Sequence, residues 1–142
     1  MAIATRTLKD TKIATGSGAA GGKVTVLVNM NDNTTADSLV VDASGLAGHA
    51  NGAKLDITRI WWALVQGTAD DNTGWADIEF VGSSSDTKAI NLAGTGHYDG
   101  TAGKITNNAT NTGATSGDLE LTALGTSGSV IIELRKDGSF TA

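Results

Sequence analysis

Cysteine and proline are absent from this 142-residue chain, and aromatic residues make up only 4 % of it. Without Cys there is no disulfide, no thiolate metal site and no cysteine nucleophile, so stability has to come from packing, backbone pairing or assembly. Without Pro, the turns fall to residues that tolerate positive φ, and 19 Gly together with many Asn supply them. Long hydrophobic runs are missing too. Thr5, Arg6, Thr7, Lys9 and Asp10 interrupt Ile3 and Leu8, which is not the pattern of a secretory signal and leads to the expectation of an intracellular origin. No later stretch reaches membrane-spanning length, so no membrane partner is expected.

The hydrophobic 39 % falls in discrete runs rich in Val, Ile and Thr, which favours strands over a solvated coil. Helical spacing is sustained nowhere, whereas alternation recurs from end to end. In Lys23 to Met30, Val24, Val26, Val28 and Met30 point one way and Thr25, Leu27 and Asn29 the other. Further strands are expected at residues 5–13, 39–41, 55–65, 75–81, 88–92, 118–124 and 129–135, with a minor one at 104–106. Segments 82–86, 94–117 and 125–128 read as turns or loops, because Gly and Asn punctuate them. Eight or nine short strands fit an all-β, antiparallel β-sandwich, with a jelly roll as one form of it. Residues 1–22 are expected to be a basic arm with a Gly-rich joint at 16–22, and residues 23–142 a single β-sandwich domain. A plain hairpin connection is the competing reading of that joint.

Net charge is −5, unevenly spread. The first 28 residues carry Arg6, Lys9, Lys12 and Lys23 against Asp10, which makes them +3 and, by subtraction, the rest −8. A basic arm on an acidic body can dock electrostatically on an acidic neighbour, including another copy of the chain. Ordinary solvated edge-strand charges are the plainer reading. Outside the arm, fourteen acids face six bases, so the body repels nucleic acid and no nucleic-acid partner is expected.

Catalytic patterns fare poorly. His49 and His97 sit in Gly-rich, turn-like settings with no nucleophile motif beside them, and both read as exposed loop histidines. The candidate carboxylate pairs are Asp77 with Glu79, alternate strand residues that share a face, and Glu120 with Glu133, each opposite the apolar face of its own strand. They read as solvated outer-face charge rather than a glycosidase pair. Asp70-Asp71-Asn72-Thr73-Gly74 has oxygen ligands but neither the spacing nor the closing Glu of a calcium loop, and no Gly-rich segment precedes a Lys-Ser/Thr. No enzyme, cofactor or metal is therefore expected; a hydrolase using Asp77 and Glu79 is the remote alternative. Trp61 and Trp62 are adjacent in a strand and must point to opposite faces, so one can enter the core while the other needs a cover or a partner. Trp75 opens the next strand as a rim candidate.

Three segments carry a family resemblance: Ile60-Trp61-Trp62-Ala63-Leu64-Val65; Trp75-Ala76-Asp77-Ile78-Glu79-Phe80-Val81-Gly82; and Ile90-Asn91-Leu92-Ala93-Gly94-Thr95-Gly96, with Asp99-Gly100 after it. With the Pro-free, Cys-free, Gly- and Thr-rich composition, the chain resembles the small β-rich virion structural proteins of tailed bacteriophages. The resemblance implies a capsid decoration or cement protein on the capsid surface of the virion, assembled in the host cytoplasm. Its implied partners are the major capsid protein and itself, as a homo-oligomer with a trimer favoured. Arg6, Lys9 and Lys12 are then the docking arm, and Trp61, Trp62 and Trp75 the candidates for subunit contacts. A phage neck, tail or baseplate component would share this composition. The other alternative is a carbohydrate-binding β-sandwich in which Trp75 or Trp62 stacks on a sugar ring and the loop at 70–73 adds polar contacts.

Overall fold

A computed structural model of the chain describes residues 3–11, 22–49, 53–67, 73–110, 117–137 and 140. Its strands are β1 (Ala4–Asp10), β2 (Lys23–Val41), β3 (Leu55–Gln66), β4 (Trp75–Phe80), β5 (Thr87–Ala93), β6 (Thr95–Tyr98) and β7 (Leu119–Lys136); a single turn of 3-10 helix at Ala43–Gly45 follows β2. The all-β, antiparallel expectation holds. Hydrogen bonding joins the seven strands in one sheet, in the order β1-β2-β7-β3-β6, with β4 between β7 and β5.

Two of these strands are long because segments read separately in the sequence are continuous. Residues 23–30 and 39–41 belong to the 19-residue β2, and residues 118–124 and 129–135 fall almost wholly in the 18-residue β7. Gly125 to Gly128, read as a turn, lies inside β7. Conversely, residues 95–98, read as loop, form β6, which pairs Ile60↔Tyr98 through Ala63↔Thr95. The expected minor strand at 104–106 is a lone bridge from Ile105 to Ile57.

At about 3.3 Å per residue an 18-residue strand would run about 60 Å if straight, yet a compact domain of this size has a radius of gyration of only about 14 Å. The sheet must therefore bend, and it does so along one crease. β7 pairs with β3 from Leu55↔Lys136 to Gln66↔Thr126, then with β4 from Trp75↔Leu124 to Phe80↔Leu119. β3 and β4 are thus successive segments of one row, interrupted at 67–74. β5 and β6 form the next row, interrupted only at Gly94, whose φ of 62° turns the chain. In β2 the register shifts between Met30 and Ser38, with Asp32 and Asp37 at φ of 51° and 50°. In β7 the change of partner from β3 to β4 falls at Gly125, whose φ is 50°; three residues on, opposite Leu64, Gly128 has a φ of 127° and a methyl group there would strike the Ala63 carbonyl oxygen.

The crease divides the sheet into a wide half (β1, the first part of β2, the last part of β7, β3, β6) and a narrow half (the last part of β2, the first part of β7, β4, β5). Their inner faces contribute to one buried cluster: Val24, Val26, Val28, Ile60, Leu64, Ile132 and Leu134 from the wide half, with Ile78, Phe80, Leu92, Leu119 and Leu121 from the narrow half. Each such side chain contributes about 1.5–3 kcal/mol by leaving water. Because the inner faces share this core, the outer faces point away from each other.

One inward position of the wide half is not apolar. Lys136 continues the alternation of Val130, Ile132 and Leu134 and is wholly buried. Its Nζ donates to Asp10 Oδ1 at 2.5 Å and to the Ala47 carbonyl at 2.7 Å, and sits 5.4 Å from the centroid of the Phe140 ring. Asp10 Oδ2 in turn accepts from the Ala47 amide at 2.8 Å. This clamp ties the end of β1 to the end of β7 and to the turn after β2.

Candidate functional site

The outer face of the wide half is built by cross-strand register. Arg6 stands opposite Leu27, Leu27 opposite Ile131, Ile131 opposite Trp61 and Trp61 opposite His97. This is one straight row across five strands. The Trp61 and His97 rings are stacked, with centroids 5.0 Å apart and planes at 10°. Ala63 and Val65 extend the apolar ground along β3, and Val65 is 63 % exposed. Trp61, Ala63, Thr95, Ser129 and Ile131 line an open depression of about 320 Å³. A row of half-buried apolar side chains on an outward sheet face is the arrangement that a covering partner completes.

Cations flank that row. Lys9 pairs with Thr25, which pairs with Glu133, which pairs with Arg59; Lys23 pairs with Arg135 beyond them. Glu133 lies in their midst and is already engaged, 3.7 Å from Lys23 Nζ and accepting from the Thr58 hydroxyl at 2.9 Å. Asp56, almost fully buried, is held by Lys104 at 2.6 Å and by the Asn107 amide at 3.0 Å. Asp99 lies at the rim, where hydrogen bonds from Thr101 hold its carboxyl below the ordinary value. The face therefore carries Arg6, Lys9, Arg59 and Arg135 in excess of its free carboxylates.

Of the residues singled out in the sequence, Arg6, Lys9 and Trp61 come together on this face. The basic arm is, over residues 4–10, an edge strand paired with β2, and the Thr11 amide closes the hairpin on the Lys23 carbonyl at 2.9 Å. Lys12 and most of the Gly-rich joint lie outside the described residues. Trp62 takes the opposite side of β3: it packs against the core, its ring lies over Gly96, and its Nε1 donates to the Ala93 carbonyl at 3.0 Å. Trp75 stands on the outer face of the narrow half, opposite Leu124 and Ala93.

That second outer face has the opposite charge. Glu79 stands directly across from Glu120, and Asp37, Asp86 and Glu120 present carboxylate oxygens within 4.8 Å of one another. Desolvation, followed by the charge and hydrogen bond of Asp86 and the charges of Asp37 and Glu79, pushes the Glu120 carboxyl up to about 7. Lys88 is the one cation among the described residues of this face, and it is spent on Asp77 at 2.9 Å. Leu39 and Leu124, 47 % and 37 % exposed, give this face an apolar component of its own.

The carboxylates and histidines singled out in the sequence take separate places. Glu120 and Glu133 lie on different halves of β7, and Asp77 is tied to Lys88. His97 is a strand residue stacked on Trp61, not the loop histidine that the sequence suggests. His49 packs edge-on to Phe140, with ring centroids 6.0 Å apart. The loop at 68–72 lies outside the described residues. Sequence reasoning missed Leu27, Ile131, Arg59 and Arg135 as members of the face. The signal was there in the period of two, but which strands are neighbours decides which alternating residues meet. Comparison with known proteins finds no matching family model, no matching curated protein and no matching solved structure.

Proposed function

We propose that this chain is a non-enzymatic structural protein whose work is binding: a virion component that docks on an assembled phage capsid and stabilises it, in the manner of a decoration or cement protein. The observation that carries the reading is the Arg6–Leu27–Ile131–Trp61–His97 row with its flanking cations. Such a face suits a partner that is acidic at its rim and apolar at its centre. The acidic partner in this reading is the major capsid protein lattice. Binding only the assembled lattice stabilises it by mass action, and repeated weak contacts reinforce one another through avidity. We read the creased sheet as a one-sheet counterpart of the antiparallel sandwich, its two halves closing on one core, since corners of this kind are made by strands that bend from one layer to the next.

Cosedimentation with particles and with undecorated shells tests the reading. Saturable binding at a fixed ratio to shell subunits, weakened by Arg6→Ala with Lys9→Ala and by added salt, is the expected result. Absence of binding to either at low salt overturns it. A neck, tail or baseplate role predicts binding to whole particles but not to shells. A glycan-binding reading rests on the depression beside Trp61, although His97 already covers one face of that ring and the Trp62 donor is bonded to Ala93. A saturable change of Trp fluorescence on a glycan panel, lost in Trp61→Ala, would favour it.

A further inference from the structure

The two outer faces form a matched pair. The wide half presents Arg6, Lys9, Arg59 and Arg135 around Leu27, Ile131 and Trp61; the narrow half presents Asp37, Glu79, Asp86 and Glu120 beside Leu39, Leu124 and Trp75. They belong to one molecule and point away from each other, so no single copy can bring them together. We propose that copies of this chain associate head to tail, the acidic outer face of one copy seated on the basic outer face of the next. The proposal rests on the basic face being a docking surface, as argued above, and names its occupant in solution.

Three observations favour a second copy over an unspecified acidic surface. The signs are complementary in the balance of each face, several residues to a side and not one pair: Lys88 on the acidic face is paired with Asp77, and Glu133 on the basic face with Lys23. Each face also has exposed or half-buried apolar side chains of its own, so contact removes apolar surface on both sides. Finally, the acidic face is internally frustrated. Glu79 and Glu120 oppose each other across neighbouring strands, which is a destabilising arrangement, and the Glu120 carboxyl is pushed up to about 7 with no free cation among the described residues to relieve it. Guanidinium groups from a neighbour supply the missing positive charge in the geometry carboxylates accept best.

The contact joins two different patches, so it is heterologous. It propagates into an open chain, or closes into a ring if the rotation between copies allows. Five strands spaced at about 4.8 Å give a face about 19 Å wide. Across some six residues of strand length it offers about 400 Å² per copy, below the roughly 800 Å² of a standard stable interface, so the association is weak and concentration-dependent. Head-to-tail contact also hides the basic face, so self-association competes with docking on a lattice.

The test is sedimentation velocity over a concentration series up to about 1 mM in 50 mM salt, on wild type and on two charge-reversed pairs, Glu79→Lys/Glu120→Lys and Arg6→Glu/Arg59→Glu. Far-UV circular dichroism of each reports that it folds, and Glu79→Gln/Glu120→Gln serves as a milder replacement for the first pair. Wild type is expected to associate, and about tenfold more weakly at 500 mM salt. Each reversed pair alone is expected to be monomeric, and an equimolar mixture of the two to associate again, because each supplies the face the other lacks. A monomeric wild type overturns the proposal, as does continued association of the Glu79→Lys/Glu120→Lys variant, which would mean like faces pair. Failure of the mixture to recover also overturns it. The same variants separate this contact from lattice docking: the acidic-face variant keeps shell binding and the basic-face variant loses it. Recovery in the mixture without shell binding by any variant would refute the capsid reading alone.

Discussion

Removing the Asp10 carboxylate should be among the most damaging single changes available in this chain. The Lys136 ammonium is fully buried, and Asp10 is its only anionic partner among the described residues; the Ala47 carbonyl and the Phe140 ring complete its surroundings. At 2.5 Å and an effective dielectric of about 20, the gross attraction is about 7 kcal/mol. Most of that offsets the several kcal/mol that the buried Lys136 loses in hydration, with a smaller loss at Asp10, whose side chain stays partly exposed. Asp10→Ala leaves the hydration loss of Lys136 in place and removes its compensation, so the expected destabilisation is about 3–5 kcal/mol. That is a large part of the roughly 5–15 kcal/mol that holds a domain together. Asp10→Asn keeps an oxygen for the Ala47 amide and should cost less. Asp10→Asn with Lys136→Met, which leaves no buried charge, should be more stable than Asp10→Ala alone. Urea titrations followed by Trp fluorescence, with all three variants and Lys136→Met completing the cycle, measure this. A loss below about 1 kcal/mol in Asp10→Ala, or a double variant no better than the sum of its parts, would refute the argument that the clamp is held by compensation of a buried charge.

Close approach of β3 and β7 beside the crease makes a second expectation. Gly128→Ala should cost about 2–4 kcal/mol in the same titration, because a side chain is strained at its φ and its methyl group meets the Ala63 carbonyl. Gly45→Ala, with open space around it, should be close to neutral. The two neighbouring tryptophans should separate by role: Trp62→Ala loses about 2–4 kcal/mol of stability through core contacts and the bond to Ala93, whereas Trp61→Ala leaves a stable fold and weakens lattice binding. Glu120 predicts a pH effect. Its folded pKa, about 7, lies above the ordinary 4.5, so the folded state holds the extra proton in that window and loses stability as pH rises through it. Glu120→Gln should therefore be more stable than wild type at pH 8 by up to about 1 kcal/mol, given its exposure, and the advantage should vanish by pH 5. An advantage independent of pH would sink the assignment.

Strand content was legible in the sequence because alternation is a local property. Val24, Val26 and Val28 face inward as their spacing dictates, and Trp61 and Trp62 part to opposite faces as neighbours in a strand must. Continuity was not legible. Gly125 and Gly128 carry the same residue signal whether a chain turns back or merely bends, and only the partners on either side, β2 and β3 with β4, decide between the two. Lys136 illustrates a different limit. Its spacing from Leu134 puts it on the inward face, but a buried lysine is credible only when Asp10, 126 residues away, is known to meet it. The docking face fails for a related reason. Arg6, Leu27, Ile131, Trp61 and His97 are unremarkable singly, and their alignment depends on a strand order that brings the first strand and the last into one row.

That strand order also bears on how the molecule is made. Among the described residues, β7 is the last strand in chain order and the one that pairs with β2, β3 and β4 alike. Until it emerges, β1 with β2, β3 with β6 and β4 with β5 are pairs missing their common neighbour, and the long inner edge of β2 is open. Nearly all the sheet is then joined in one late event, with partners far apart along the chain, which is the pattern of a slow folder. A chain emerged as far as β6 holds three unfinished strand pairs with exposed edges, the species on which chaperones act. Completion of the fold therefore waits on β7, and copies crowded together during synthesis would meet one another as open edges before they could meet as finished faces.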